Sequence, residues 1–291
     1  MNRNKLQLLG AMSIFGTIGI FVRYIPLPSA TVAFVRGVLG VLFLLLTMLI
    51  TRKKLDLAAI RKNLLILLVS GGAIGINWIL LFEAYRYTTV ATATVCYYLA
   101  PVFLLLASPL LGERMNGKKF LCLTVAMVGM ICVSGLPEGT LPDLGQLQGI
   151  VLGIGAALLY ATVMLLNKKL SPLPAYDKTI VQLNASALII LPYILFSQGF
   201  AMASLTGMQW VLLGIVGVVH TGIAYAMYFG SMEGLPAHTI AIFSYLDPVI
   251  AVLLSALLLR ESLGIWGILG AVLILGSALY SELPDKKKPP V

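Results

Sequence analysis

Residues 29–50 read SATVAFVRGVLGVLFLLLTMLI, with Arg36 as the one charged side chain in the run. A helix rises about 1.5 Å per residue, so a stretch of this length covers the roughly 30 Å hydrocarbon core of a bilayer. Nine more stretches of the same character lie near 6–25, 64–86, 88–111, 118–136, 147–168, 178–198, 208–230, 238–259 and 264–281. The chain has 291 residues, of which 59% are hydrophobic and 11% charged. Its mean hydropathy is +0.99. No soluble domain fits between the apolar stretches. The expected fold class is an all-α membrane protein with ten transmembrane helices.

The net charge of +9 could suggest a nucleic-acid partner, but the placement of the cations argues against one. With a cytoplasmic N-terminus, the inner side carries Arg3, Lys5, Arg52, Lys53, Lys54, Arg61, Lys62, Arg114, Lys118, Lys119, Lys168, Lys169, Lys178 and Lys286 to Lys288. The outer side carries Arg23, Arg86 and Arg260, and Arg36 lies within a span. This asymmetry orients a polytopic protein with both termini in the cytoplasm, and a bacterial inner membrane suits it best. The segment before Arg23 lacks a small-residue cleavage site and reads as a retained span. Cys96, Cys122 and Cys132 all fall in spans, where buried free thiols are the expected state.

The chain also resembles itself. Shifted by 147 residues, 75–102 lies over 222–249, with Gly75-Ile76 on Gly222-Ile223, Phe82 on Phe229, Thr92 on Thr239, Tyr98-Leu99 on Tyr245-Leu246 and Pro101-Val102 on Pro248-Val249. Shifted by 146, Pro26-Leu27-Pro28 lies on Pro172-Leu173-Pro174 and Arg36 on Gln182. Each half, 1–137 and 146–282, then holds five spans, with 283–291 as a cytoplasmic tail. Because five is odd, the second half enters the membrane from the opposite face. Two inverted five-helix repeats around a central cavity are the expected architecture, as in secondary transporters whose site lies between the repeats. Gly pairs such as Gly71 with Gly75, Gly149 with Gly153, and Gly264, Gly267 and Gly270, mark close helix packing.

A charge at bilayer depth costs about 2.5–3.5 kcal/mol on insertion scales, so each polar residue there needs a reason. Arg36 shares a face with Ala33, Gly40 and Thr47; it either pairs with an internal anion or reaches a substrate carboxylate. Asp247 precedes Pro248 in the ninth span, and its stripe includes Ser244, Ala251 and Ser255. It could bind a cation, carry a coupling proton, or neutralise Arg36. Glu83 lies two turns from Asn77 and Trp78 and can pair with Arg86 at the interface or join the site. His220 is a proton-relay candidate or a packed neutral ring. Tyr97, Tyr98 and Tyr245 precede the repeat-related prolines, with Trp78, Tyr225 and Tyr228 on neighbouring spans, a set that suits an apolar or aminated solute. The candidate substrate-binding residues are therefore Arg36, Asn77, Trp78, Glu83, Tyr97, Tyr98, His220, Tyr225, Tyr245 and Asp247, with Asp247, His220 and Glu83 as proton-coupling candidates. Glu113 and Glu261, at span ends, are expected to cap or close turns.

At these residues the chain resembles the drug/metabolite transporter superfamily, in its EamA-like branch of ten-span proteins. The stretch Tyr98-Leu99-Ala100-Pro101 through Leu110-Leu111-Gly112-Glu113-Arg114 is similar to the family's repeat ending. Tyr245-Leu246-Asp247-Pro248 through Leu259-Arg260-Glu261 is its second copy, departing from the pattern at Arg260, where Gly is usual. Arg36 after Ala33-Phe34-Val35, and Tyr85-Arg86-Tyr87-Thr88, resemble two further family motifs. The resemblance implies a carrier working by alternating access, commonly an exporter of amino acids or related metabolites and often proton-linked. The expected partners are a small-molecule substrate, membrane lipid and a proton; a homo-oligomer is compatible, and no nucleic acid, metal or cofactor is expected. A carrier of organic cations or drugs is the alternative. An intramembrane enzyme finds no support, since the chain has no paired-aspartate motif, no H-E-x-x-H helix and no G-x-S-x-G elbow. A purely structural membrane protein would not need charges at the seam of a repeat.

Overall fold

The computed structural model describes residues 3–107, 117–133, 143–197, 199–200, 205–232, 235, 243–261 and 264–283. Among them the regular structure is helical throughout. The helices are α1 (Arg3–Arg23), α2 (Ser29–Ile50), α3 (Leu57–Tyr87), α4 (Val90–Tyr97), α5 (Ala100–Leu106), α6 (Gly117–Val133), α7 (Leu144–Lys168) and α8 (Ala175–Ser197). They continue as α9 (Gly207–Gly217), a π-helical turn (Val218–Ile223), α10 (Ala224–Met232), α11 (Leu246–Leu258) and α12 (Ile265–Glu282). Six helical segments are long and apolar enough to cross a membrane: α1, α2, α3, α7, most of α8, and the rod Gly207–Tyr228. Four shorter apolar helical stretches are Val90–Leu104, Phe120–Val133, Leu246–Leu258 and Ile265–Tyr280. Glu113, Glu138, Thr239 and the Lys286–Lys288 cluster lie outside the described residues.

Three local features depart from uninterrupted spans. α3 begins at Leu57, earlier than the apolar run alone suggests, because Asp56 accepts a hydrogen bond from the Ala59 N–H and caps it. Arg61 and Lys62 therefore stand on exposed helical turns instead of in a loop. The fourth apolar stretch is broken at Tyr98-Leu99, just before Pro101, which lacks the N–H needed to continue an α-helical ladder. In the ninth, α11 starts at Leu246, so Asp247 and Pro248 occupy its first turn rather than the middle of a continuous helix. Proline is tolerated there, and the N-terminal end of the helix dipole favours a carboxylate.

Packing follows a repeated pattern. α3 lies along α7 and α8, while the rod α9–π–α10 lies along α1 and α2. α4 and α5 lie on α7, and α11 lies on α1. α2 meets α8, α4 meets α11, and α6 meets α12. Exchanging each helix of the first half for its counterpart in the second reproduces these principal contacts. The exterior is apolar: Leu46, Leu49, Ile50, Leu65, Phe196, Leu257 and Ile265 are among the many large hydrophobic side chains left exposed. The three cysteines are free and buried.

Polar ties fasten the helix ends. Glu261 accepts hydrogen bonds from the Val90 N–H (2.9 Å) and the Ser255 hydroxyl (2.6 Å), with Arg23 3.6 Å away, so it caps α4 from across the bundle. At the opposite end of α3, Asp177 accepts from the Asp56 N–H at 2.8 Å and Asn63 accepts from the Ser171 N–H at 2.9 Å.

Small residues set the closest approaches. A Cβ added at Gly71 would fall 2.5 Å from the Gln182 carbonyl oxygen, and one at Gly149 2.8 Å from the Thr88 side chain. At the α6–α12 crossing, a Cβ on Gly270 would lie 2.5 Å from the Gly129 carbonyl oxygen and 2.9 Å from the Val133 nitrogen. Beside the Val133 Cγ2 at 2.6 Å, backbone atoms of Gly129 and Val133 occupy the contact, and these cannot move aside as a side chain can. Gly270→Val is expected to destabilise the protein by about 1–3 kcal/mol, read as a lower melting temperature of the detergent-purified chain.

Candidate functional site

The helices enclose a cavity of about 200 Å³ at the meeting of α1, α2, α3, α4, α7, α10 and α11. Two of its lining residues are charged, Arg36 of α2 and Asp247 of α11. The rest of the wall is uncharged and rich in aromatic rings, including Phe15, Trp78, Tyr85, Tyr97, Tyr98, Tyr160, Tyr225 and Tyr228.

Arg36 reaches the cavity because the α2 stripe Ala33, Arg36, Gly37, Gly40 is buried against the bundle. The side chain is only 4% exposed. Its Nε donates to the Thr221 hydroxyl at 3.0 Å, and its guanidinium carbon stands 3.9 Å from the Trp78 ring centroid and 5.4 Å from that of Phe82. Cation–π contact of this kind stabilises a desolvated cation by about 2 kcal/mol. Among the described residues, no carboxylate pairs with Arg36, and no ion pair joins it to Asp247. The reading of Arg36 as half of an internal ion pair therefore finds no partner here.

Asp247 accepts a 2.8 Å hydrogen bond from the Tyr98 hydroxyl, which also lies 3.3 Å from the Ser244 carbonyl oxygen. Tyr98 sits at the break between α4 and α5, so the interruption before Pro101 presents the hydroxyl to the first turn of α11. α1 closes over this turn, since a Cβ on Gly16 would lie 2.6 Å from the Asp247 carbonyl oxygen.

The aromatic wall is built from ring contacts. Tyr97 stacks on Tyr160 (centroids 5.3 Å apart, 24° between planes) and meets Tyr98 edge-on at 5.9 Å. Phe15 stands 5.3 Å from Tyr225 and 6.4 Å from Tyr228. Asn77 lines the cavity while its amide donates to the Ala156 carbonyl oxygen at 2.5 Å, tying α3 to α7.

Of the ten residues named from sequence, the structure brings Arg36, Asn77, Trp78, Tyr97, Tyr98, Tyr225 and Asp247 to one cavity. Tyr245 is buried one layer behind, its ring 6.2 Å from Tyr98. Glu83 lies elsewhere: it accepts from the Ser29 hydroxyl at 2.6 Å, at the start of α2, and stands 3.8 Å from Arg86. These contacts tie α3 to the start of α2, whose N-cap makes no side-chain hydrogen bond. His220 is 1% exposed and outside the lining. Its Nε2 is 2.8 Å from the Thr17 hydroxyl, its Nδ1 3.3 Å from the Ile215 carbonyl oxygen, and Phe21 packs edge-on at 4.9 Å. Sequence reasoning missed Phe15, Tyr85, Tyr160 and Thr221; of these only Thr221, inside the polar run His220-Thr221-Gly222 of an apolar span, carries a visible signal.

The half-buried Tyr98–Asp247 bond spans the two halves. Tyr98→Phe is expected to destabilise the protein by about 1.5–3 kcal/mol at neutral pH, because the carboxylate loses its donor; thermal melting of the purified variant measures this.

Comparison with known proteins agrees with this architecture. The sequence model of the EamA-like transporter family matches residues 5–135 and again residues 147–281. A relative from Bacillus subtilis (strain 168), called uncharacterized transporter YxxF, is 32% identical over 278 residues, 94% of this chain and 88% of the relative. An uncharacterized transporter from Archaeoglobus fulgidus is 28% identical over 92% of each chain. Protein PecM of Dickeya dadantii (strain 3937) is 25% identical over 72% of this chain and 70% of its own. One solved crystal structure superposes with a TM-score of 0.65 over 96% of both chains at 17% identity, a likeness of fold. With its family matched along both halves and its apolar exterior, the chain belongs to the EamA-like transporter family and is a membrane transporter.

Proposed function

We propose that the protein is a secondary carrier of a small amphoteric organic solute, an amino acid or close relative, which it exports by alternating access. The observation that carries this reading is a buried guanidinium without a carboxylate partner among the described residues, lining the same cavity as Asp247. A buried charge demands a counter-group, and a solute carboxylate supplies one in a geometry that arginine recognises. Asp247, bonded through one oxygen to Tyr98, takes the solute's ammonium group. Trp78, Tyr97, Tyr98 and Tyr225 enclose the carbon skeleton, and Asn77 holds the wall they stand on.

In this reading the chain crosses the cell membrane ten times, as inverted five-helix repeats 1–137 and 146–282 with both termini in the cytoplasm. The exchange-invariant helix contacts support it, as do the family's two tandem matches and the one-sided distribution of Lys and Arg. Rocking of one repeat against the other exposes the cavity alternately. Asp247 carries the coupling proton, because it is the carboxylate in the cavity; Glu83 and His220 are held in structural contacts away from it.

A second reading is favoured by the aromatic wall alone: tyrosines with one carboxylate also suit an organic cation. A thermal-shift panel of amino acids, amines, quaternary amines and organic acids separates the two. Amino acids are expected to stabilise the wild-type chain, with affinity falling about tenfold or more in Arg36→Ala and in Asp247→Asn. Stabilisation by quaternary amines and not by amino acids selects the second reading; stabilisation by neither class sinks both. In proteoliposomes, transport by Asp247→Asn is expected to lose its pH dependence, and a full pH response in that variant removes the proton from Asp247.

A further inference from the structure

The rod that carries Thr221 is not a regular helix. Val218–Ile223 form a π-helical turn inside an otherwise α-helical run. The extra residue rotates the C-terminal part of the rod by about 100° relative to an uninterrupted α-helix. Within this turn the Thr221 hydroxyl lies 3.1 Å from the Val216 carbonyl oxygen and 3.0 Å from Arg36 Nε. A carbonyl only accepts, so the single hydroxyl hydrogen goes to Val216 and the oxygen lone pairs face Arg36. Thr221 is thus an acceptor of fixed direction. It is 0% exposed, and no water competes for it.

Two constraints now act on one planar group. Trp78 covers a face of the guanidinium, and Thr221 holds its Nε edge. Left without a hydrogen-bond partner among the described residues is the outer edge, formed by the two Nη nitrogens. That edge matches a carboxylate end-on, through two parallel hydrogen bonds. The arrangement is itself held in place. On α2, a Cβ at Gly40 would collide with the Thr221 methyl and lie 3.1 Å from its Cβ. On the other side of the turn, His220 is tied to Thr17 of α1 at 2.8 Å.

We infer that Thr221 is the positioning residue that aims Arg36, and that it makes the carrier selective for solutes bearing a carboxylate. This rests on the reading of the cavity as a site for amphoteric solutes. It adds a residue that touches no solute yet sets which head group is accepted.

The test uses the full-length purified chain and titrates two probe sets by thermal shift: the common amino acids, and the primary amines that match them without the carboxylate. In Thr221→Val, which keeps the shape and loses the acceptor, carboxylated probes are expected to bind about tenfold more weakly while any amine that binds does so as before. Thr221→Ser is expected to restore the affinity. Thr221→Ala, which adds no bulk, repeats the measurement should the valine variant not fold. Equal losses for both probe sets, or a serine variant as impaired as valine, overturn the inference by marking a packing role. If Arg36→Ala loses the carboxylated probes and Thr221→Val does not, the inference falls while the reading of the cavity stands. If no carboxylated probe binds the wild-type chain, or if Arg36→Ala binds them unchanged, that reading falls and the inference falls with it.

Discussion

A guanidinium held away from water and from any carboxylate among the described residues is the constraint around which the centre of this bundle is arranged. Its cost is met in parts, by an indole face and one hydroxyl at the wall of the cavity. Each part comes from a different helix: Trp78 from α3, Thr221 from the π-helical turn, and the cavity from the seam where α1, α4 and α11 converge. Moving any of these helices changes the environment of the charge. Arg36 thus ties α2 to α3 and to the π-helical turn at the wall of the cavity.

Irregular backbone is concentrated around the cavity. The α4–α5 break at Tyr98-Leu99, the start of α11 at Leu246 and the π-helical turn all border the cavity or contact a residue that does. Lipid cannot hydrogen-bond a freed peptide group, so interruptions are tolerated where protein or enclosed water faces them. α6 and α12, which contribute no residue to the cavity wall, pack on each other through glycine backbones.

Glu83 and His220 show how a rule about buried polarity can be right in general and indecisive in the particular. Both are rare residue types within apolar runs, and both have hydrogen-bond partners, as the cost of leaving them bare requires. Their partners are structural: the first turn of α2 for one, Thr17 and the Ile215 carbonyl oxygen for the other. Which way a side chain points around its helix depends on the neighbours it meets, and a span that is apolar all round gives no periodic cue to its orientation. Phe15, Tyr85 and Tyr160 are the converse. Aromatic residues in a membrane helix are common enough that nothing distinguishes a wall of a cavity from ordinary packing until the helices are assembled.

What the amino-acid sequence determined by itself is what depends on composition and local chemistry: apolar stretches long enough for a bilayer, and two charges, Arg36 and Asp247, too costly to face lipid. The tertiary structure alone decided that these two share a cavity without touching, that Glu83 and His220 stay outside it, and that a π-helical turn delivers Thr221 to Arg36. The physical reason is the range of the interactions. Transfer from water and backbone geometry act along the chain and leave a mark in the residue types. The meeting of Arg36 with Thr221 joins residues 185 positions apart, and only the packing of α2 against the rod brings them within 3.0 Å.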